Sequence, residues 1–181
     1  KNLDLCREHN NYIIESHQKY RGKIIPFCSV QPLEGDASYY EIERCVKAGL
    51  AGIGELRPDT QGLIEKDITY WKPVMEAARK WDLPVLIHSS EPVGHSYAGK
   101  GEVNLQYLYR LLCAFNDIKI VLAHWGGGMI FYSLMPEVAK ALVNTYFDTA
   151  ATNFLYSPEI FATAFKLAGK EKIIFGSDYP L

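Results

Sequence analysis

The chain alternates six short, continuous apolar runs with longer amphipathic segments, and this alternation restricts its possible folds more than any single motif does. The runs cover residues 24–30, 51–56, 84–88, 119–124, 146–149 and 173–177. Apolar runs without polar interruption suit strands buried on both faces, as in a parallel sheet. Strands that are separated each time by a helical segment mean βαβ units. Run starts near residues 24, 51, 84, 119, 146 and 173 lie 27, 33, 35, 27 and 27 residues apart. A barrel of eight units and about 250 residues averages roughly 31 per unit. The expected fold class is therefore α/β, a (β/α)8 TIM barrel that is incomplete here. Residues 1–181 form one partial barrel domain of about six βα units, lacking the first strands and the last helix. An open doubly wound sheet is the rival, although no G-x-G-x-x-G follows a strand.

The helix ends support the same reading. Residues 2–20 form a leading helix. Ser38 and Glu41 fit a capping box, with Gly49 where that helix stops. Asp67 caps a helix that carries Trp71, Val74, Met75, Ala78 and Trp81 on one stripe, with Pro73 tolerable only near its first turn. Leu105, Leu108, Leu112 and Phe115 form the stripe of the next crossover. Ser157 before Pro158 reads as an N-cap, and Gly169 ends a helix burying Ile160, Phe161, Ala164 and Leu167.

Composition narrows the function classes. With 48% hydrophobic and 22% charged residues the chain can bury a sizeable core. A net charge of -2 and the lack of a long basic run remove the footprint that nucleic acid or an anionic membrane would need. The expected partner is a small-molecule substrate, with no nucleic acid and no membrane; a homodimer is the assembly kept open. No apolar stretch reaches the roughly 18 residues of a membrane span, and the chain opens on a helix-like segment rather than a signal peptide, which places the protein in the cytoplasm. Cys6, Cys28, Cys45 and Cys113 lack any C-x-x-C pair and are read as buried thiols.

Four strands finish on a polar residue: Glu55 in GIGELRP, His88 in PVLIHSSEP, His124 in IVLAHWGGG and Asp178 in FGSDYP. In a barrel the carboxyl ends of the strands converge on one face. Imidazoles and carboxylates are suitable ligands for a divalent metal. Each residue also has a plain structural reading: a lone strand-end histidine is often a satisfied core residue, and GSDYP fits a simple turn. Two histidines and an aspartate at homologous points of successive units favour a site.

Taken as an ordered set, PVLIHSSEP, VLAHWGGG, YFDTAA and IIFGSDYP resemble the second half of the amidohydrolase superfamily. The similarity is to its amidohydrolase-2 group, which includes aminocarboxymuconate-semialdehyde decarboxylase and related enzymes. The resemblance implies that His88 binds the metal. It implies acid/base or electrophilic assistance from His124, and for Asp178 the double role of ligand and proton acceptor. The first-strand His-x-His of that group has no counterpart in this sequence. Glu55 is either a further metal ligand or a carboxylate that pairs with Arg57 or supports a ligand histidine. Arg57 could equally orient a substrate carboxylate. Glu91 and His95, in the glycine-rich loop after His88, are candidate substrate contacts, and Trp125 either walls the pocket or packs. GGG at 126–128 lets backbone approach the site or begins a helix. His9 and His17 are read as helix packing.

The resemblance implies a metal-dependent hydrolase in which metal-activated water attacks an amide, ester or lactone carbon, with zinc as the metal and manganese or iron as alternatives. A metal-dependent decarboxylase of an unsaturated or aromatic carboxylic acid is the second reading. A non-catalytic barrel acting as a binding module is the third.

Overall fold

The computed structural model describes residues 2–97 and 99–179. Lys1, Ala98, Pro180 and Leu181 lie outside it, so the loop after His88 and the GSDYP run are followed only in part. The chain divides into two compact units, one of residues up to Ile87 with Asp117–Lys119, the other of His88–Asn116 with the residues from Ile120 onward. All six expected strands form, five of them shorter than their apolar runs and the fifth in chain order shifted by one residue.

The first unit opens with α1, Leu3–Lys19, whose N-cap Asn2 accepts the amide N–H of Leu5. β1 (Phe27–Cys28), β2 (Gly52–Leu56) and β3 (Val85–Ile87) follow, parallel in both pairings, with Leu56 opposite Ile87. β1 is cut to two residues because Pro26 has no N–H to give the ladder, and Ile24 and Ile25 stay exposed. α2 (Asp36–Lys47) ends in a Schellman motif: Gly49 N–H donates to Val46 and Leu50 N–H to Cys45. Asp67 caps a short 3-10 turn that leads into α3, Lys72–Lys80, with Pro73 in the first turn. Trp71, Val74, Met75 and Ala78 are buried as their spacing predicts.

The expected capping box of Ser38 and Glu41 does not form. α2 starts three residues earlier, with Gly35 at its N-cap, so Ser38 Oγ instead donates to the Gln31 carbonyl. Glu41, buried beneath α1, accepts from Asn10 Nδ2 (2.8 Å), Arg44 (2.7 and 3.0 Å) and the Cys45 thiol (3.6 Å). Burial pushes this carboxyl up, but the hydrogen bonds from Arg44 and Asn10 outweigh it and hold Glu41 below the usual carboxylate range. A carboxyl that ionises more readily in the folded state stabilises above its ordinary value of 4.5 and loses that contribution as pH falls through the folded value. Glu41→Gln should cost about 1–3 kcal/mol at neutral pH. It should also flatten part of the acid-side fall in the urea midpoint. A variant whose midpoint keeps the full wild-type pH slope would contradict this role.

The second unit contains β4 (Ile120–Leu122), β5 (Thr145–Asp148) and β6 (Ile173–Ile174), again parallel, with Leu122 opposite Phe147 and Asp148 opposite Ile174. α4 (Leu105–Ala114) buries Leu108, Leu111 and Leu112 completely or nearly so, roughly 1.5–3 kcal/mol each. α5 (Pro136–Ala141), α6 (Thr152–Leu155) and α7 (Glu159–Ala168) complete the unit. Pro158 rather than Ser157 occupies the N-cap of α7, and Gly169 ends it. Of its expected apolar stripe Ile160 and Ala164 are buried, whereas Phe161 is 38% exposed and touches Trp125 edge-on. Cys113 is exposed, contrary to expectation, because the sequence spacing places it off the buried stripe of α4; the other three cysteines are buried.

Candidate functional site

Two imidazoles meet inside the second unit. His88 follows directly on Ile87, the last residue of β3, and His124 lies two residues past β4. Their ring centroids are 5.0 Å apart at 73°, and both side chains are buried, at 5% and 6% exposure. Two buried imidazoles at this separation bring ring nitrogens close enough to serve one small polar or cationic group.

Each ring is anchored. The Ser90 hydroxyl lies 3.0 Å from His88 Nε2 and accepts the Gly101 amide N–H at 2.8 Å; a hydroxyl can take either hydrogen-bond role toward the ring. His124 Nδ1 is 3.2 Å from the Ala150 carbonyl. A carbonyl only accepts, so Nδ1 carries the hydrogen and the lone pair of the neutral ring sits on Nε2. This is the support that metal-binding and acid/base histidines commonly have. Asp148 Oδ1 accepts the main-chain N–H groups of His124 (2.8 Å) and Ala150 (3.0 Å). The Ser89 hydroxyl donates to the Ala123 carbonyl.

The backbone after β4 takes an unusual path. His124, Trp125 and the three glycines 126–128 all have positive φ, between +55° and +90°. The glycines do what the sequence expects in letting backbone close in: a Cβ at Gly127 would lie 2.5 Å from the Ser90 carbonyl oxygen and 2.8 Å from its amide nitrogen. Trp125 is fully buried, donating its indole N–H to Thr152 Oγ1 at 2.9 Å. Thr149 Oγ1 exchanges hydrogen bonds of 3.1 Å with the backbone of Gly176, clipping the β6 exit to that of β5.

The remaining predicted residues are spread more widely. Asp178 is half-buried with φ of +58°. Glu91 accepts from the Tyr97 hydroxyl at 3.2 Å, and burial together with the Glu91 carboxylate pushes the Tyr156 phenol up. His95 is exposed and its ring lies tilted at 55° to that of Tyr97, centroids 5.6 Å apart. In the first unit Glu55 is exposed on β2 and Arg57 pairs with Asp59 at 3.3 Å. Glu55, Arg57, His9 and Ser29 line a cleft of about 580 Å³.

Sequence reasoning missed Asp148, Ser89 and Ser90. YFDTAA and HSSEP contain them, but a buried acceptor for main-chain N–H groups has no spacing signature. Two imidazoles of this kind, one with its tautomer set by a backbone carbonyl, are a donor set that divalent ions accept, and the residues present fit such an ion.

The sequence model of the family described as amidohydrolase matches residues 3–181. The chain belongs to the amidohydrolase family. A comparison with curated proteins finds no match. Among solved structures, 5-carboxyvanillate decarboxylase from Sphingomonas paucimobilis is 18% identical with a TM-score of 0.76, over 99% of this chain and 63% of that one. The 2,6-dihydroxybenzoate decarboxylase from Rhizobium is 18% identical with a TM-score of 0.65, over 98% of this chain and 67% of that one. A dihydroxybenzoic acid decarboxylase from Polaromonas, with bound manganese and 2-nitroresorcinol, is 19% identical with a TM-score of 0.68, over 97% and 64%. The amidohydrolase chain thus spans less than two thirds of the length of the first of these. At such identity the likeness is one of fold: six βα units of a (β/α)8 barrel, not the doubly wound rival.

Proposed function

We propose that the protein is a metal-dependent carboxy-lyase acting on an aromatic carboxylic acid. The buried, anchored His88–His124 pair is the observation that supports this reading. The fold likeness to decarboxylases moves decarboxylation ahead of the hydrolysis expected from sequence. Manganese moves ahead of zinc because a protein of this fold holds it.

His88 would hold the ion, with Glu55 as a second donor. A bound divalent ion supplies Lewis-acid polarisation of substrate oxygens. His124 would take up a solvent proton on Nε2 and deliver it to the ring carbon, whose bond to the carboxylate then breaks as carbon dioxide leaves. Asp178 is proposed as further ligand and proton acceptor, on the family pattern. Arg57 offers a planar fork to a substrate carboxylate. Glu91 and His95 contact the substrate, and Trp125 backs the His124 turn. Residues 1–181 work as one catalytic domain on a small molecule, in the cytoplasm, as a homodimer. Among the described residues no helix is long and apolar enough to cross a membrane.

Manganese-loaded protein incubated with a panel of hydroxylated benzoic acids, lactones and cyclic amides should release carbon dioxide from one or more of the acids. Hydrolytic products without carbon dioxide would return the hydrolase reading to first place. A protein that takes up no metal would end both in favour of a binding module.

A further inference from the structure

We propose that Asp148 is the positioning residue for His124, setting both its ring orientation and its tautomer; the inference rests on the proposed role of His124 in proton transfer. Asp148 ends β5 and is 8% exposed. One of its oxygens, Oδ1, takes the main-chain N–H of His124 at 2.8 Å and that of Ala150 at 3.0 Å. The carbonyl of the same Ala150 faces His124 Nδ1 at 3.2 Å. Asp148 therefore holds the histidine at two points. It grips the main chain directly, and it fixes the peptide whose carbonyl selects the hydrogen-bearing nitrogen.

The backbone makes such a clamp necessary. His124 and Trp125 sit at φ of +55° and +58°, a region that residues with a Cβ enter only when their surroundings hold them there. Ala151, next to the residue whose carbonyl accepts from His124, is also left-handed, at +56°. The carboxylate thus bonds to one left-handed residue, His124, and to Ala150, the neighbour of another. A side-chain carboxylate, rather than backbone, accepts the N–H groups of His124 and Ala150. The requirement is for an acceptor at a fixed position, which the carboxamide of asparagine can also supply.

The test uses the protein labelled with 15N in its histidine rings, at a pH where the imidazoles are neutral, with the His124 signals identified by their absence in His124→Asn. The wild-type ring should be a single species with hydrogen on Nδ1. Asp148→Asn should retain that species. Asp148→Ala should show a substantial Nε2–H population, and its kcat on the carboxylic acid should fall about 10–100-fold with KM within twofold. Wild-type His124 with hydrogen on Nε2, or an Asp148→Ala ring unchanged in tautomer, overturns the proposal. The first of these needs no variant, so a failure of Asp148→Ala to fold leaves the test intact. The tautomer is read without turnover: a protein that shows the expected ring species but binds no metal would refute the proposed function and leave the positioning role standing.

Discussion

Replacing His124 with asparagine should lower carbon dioxide release by about 10²–10⁴-fold, the range associated with losing a positioned general acid or base. Bound divalent metal per chain, measured by elemental analysis, should remain nearly unchanged. The physical basis is the division of labour between two neighbouring rings. His124 is oriented through Nδ1 by the Ala150 carbonyl and is gripped at its own main chain by Asp148, so its Nε2 lone pair has a defined direction for a proton. Asparagine has an amide group of similar reach but no titratable nitrogen, so it can fill the space without exchanging a proton. His88→Ala should have the opposite profile, with loss of metal and of turnover together, because it removes a proposed donor. If His124→Asn loses the metal as well, His124 is a ligand and the acid/base assignment fails.

The largest effect on stability is expected at Gly127. Gly127→Ala should destabilise the protein by roughly 2–5 kcal/mol, combining the cost of a left-handed alanine with that of forcing backbone apart. Its φ is +58°, and the new Cβ would press on the Ser90 carbonyl oxygen at 2.5 Å. Main chain cannot swing aside as the far end of a side chain can, so the segment that presents Ser90 to His88 must shift. Gly94→Ala is the control. Its φ is +97° with nothing within 4 Å of the added carbon, so it has the backbone cost alone, about 1 kcal/mol. Urea midpoints of the two variants separate the contributions. Equal losses at the two positions would mean that the close approach to Ser90 contributes nothing.

Much of the architecture was legible because strand burial leaves a linear record. A strand covered on both faces must be apolar at consecutive positions, and all six runs became parallel strands. Helix ends were read less well. The Ser38–Glu41 spacing satisfies a capping box, yet tertiary packing recruited Glu41 into a buried cluster with Asn10 and Arg44, residues of two different helices. His88 and His124 were identifiable from their placement at strand ends, and their approach to 5.0 Å follows from the fold. Asp178 was read by the same rule, and its own left-handed backbone, at φ of +58°, is a feature that no sequence spacing records.

By itself, then, the sequence determined the order of strands and helices, the family, and the histidines set at strand ends, since periodicity and local spacing are properties of neighbours along the chain. The tertiary structure alone decided which nitrogen of His124 carries hydrogen, that Asp148 grips it, and that Gly127 must lack a side chain. Those depend on groups 24 to 37 residues apart brought within hydrogen-bond or van der Waals distance, and no local pattern encodes such meetings.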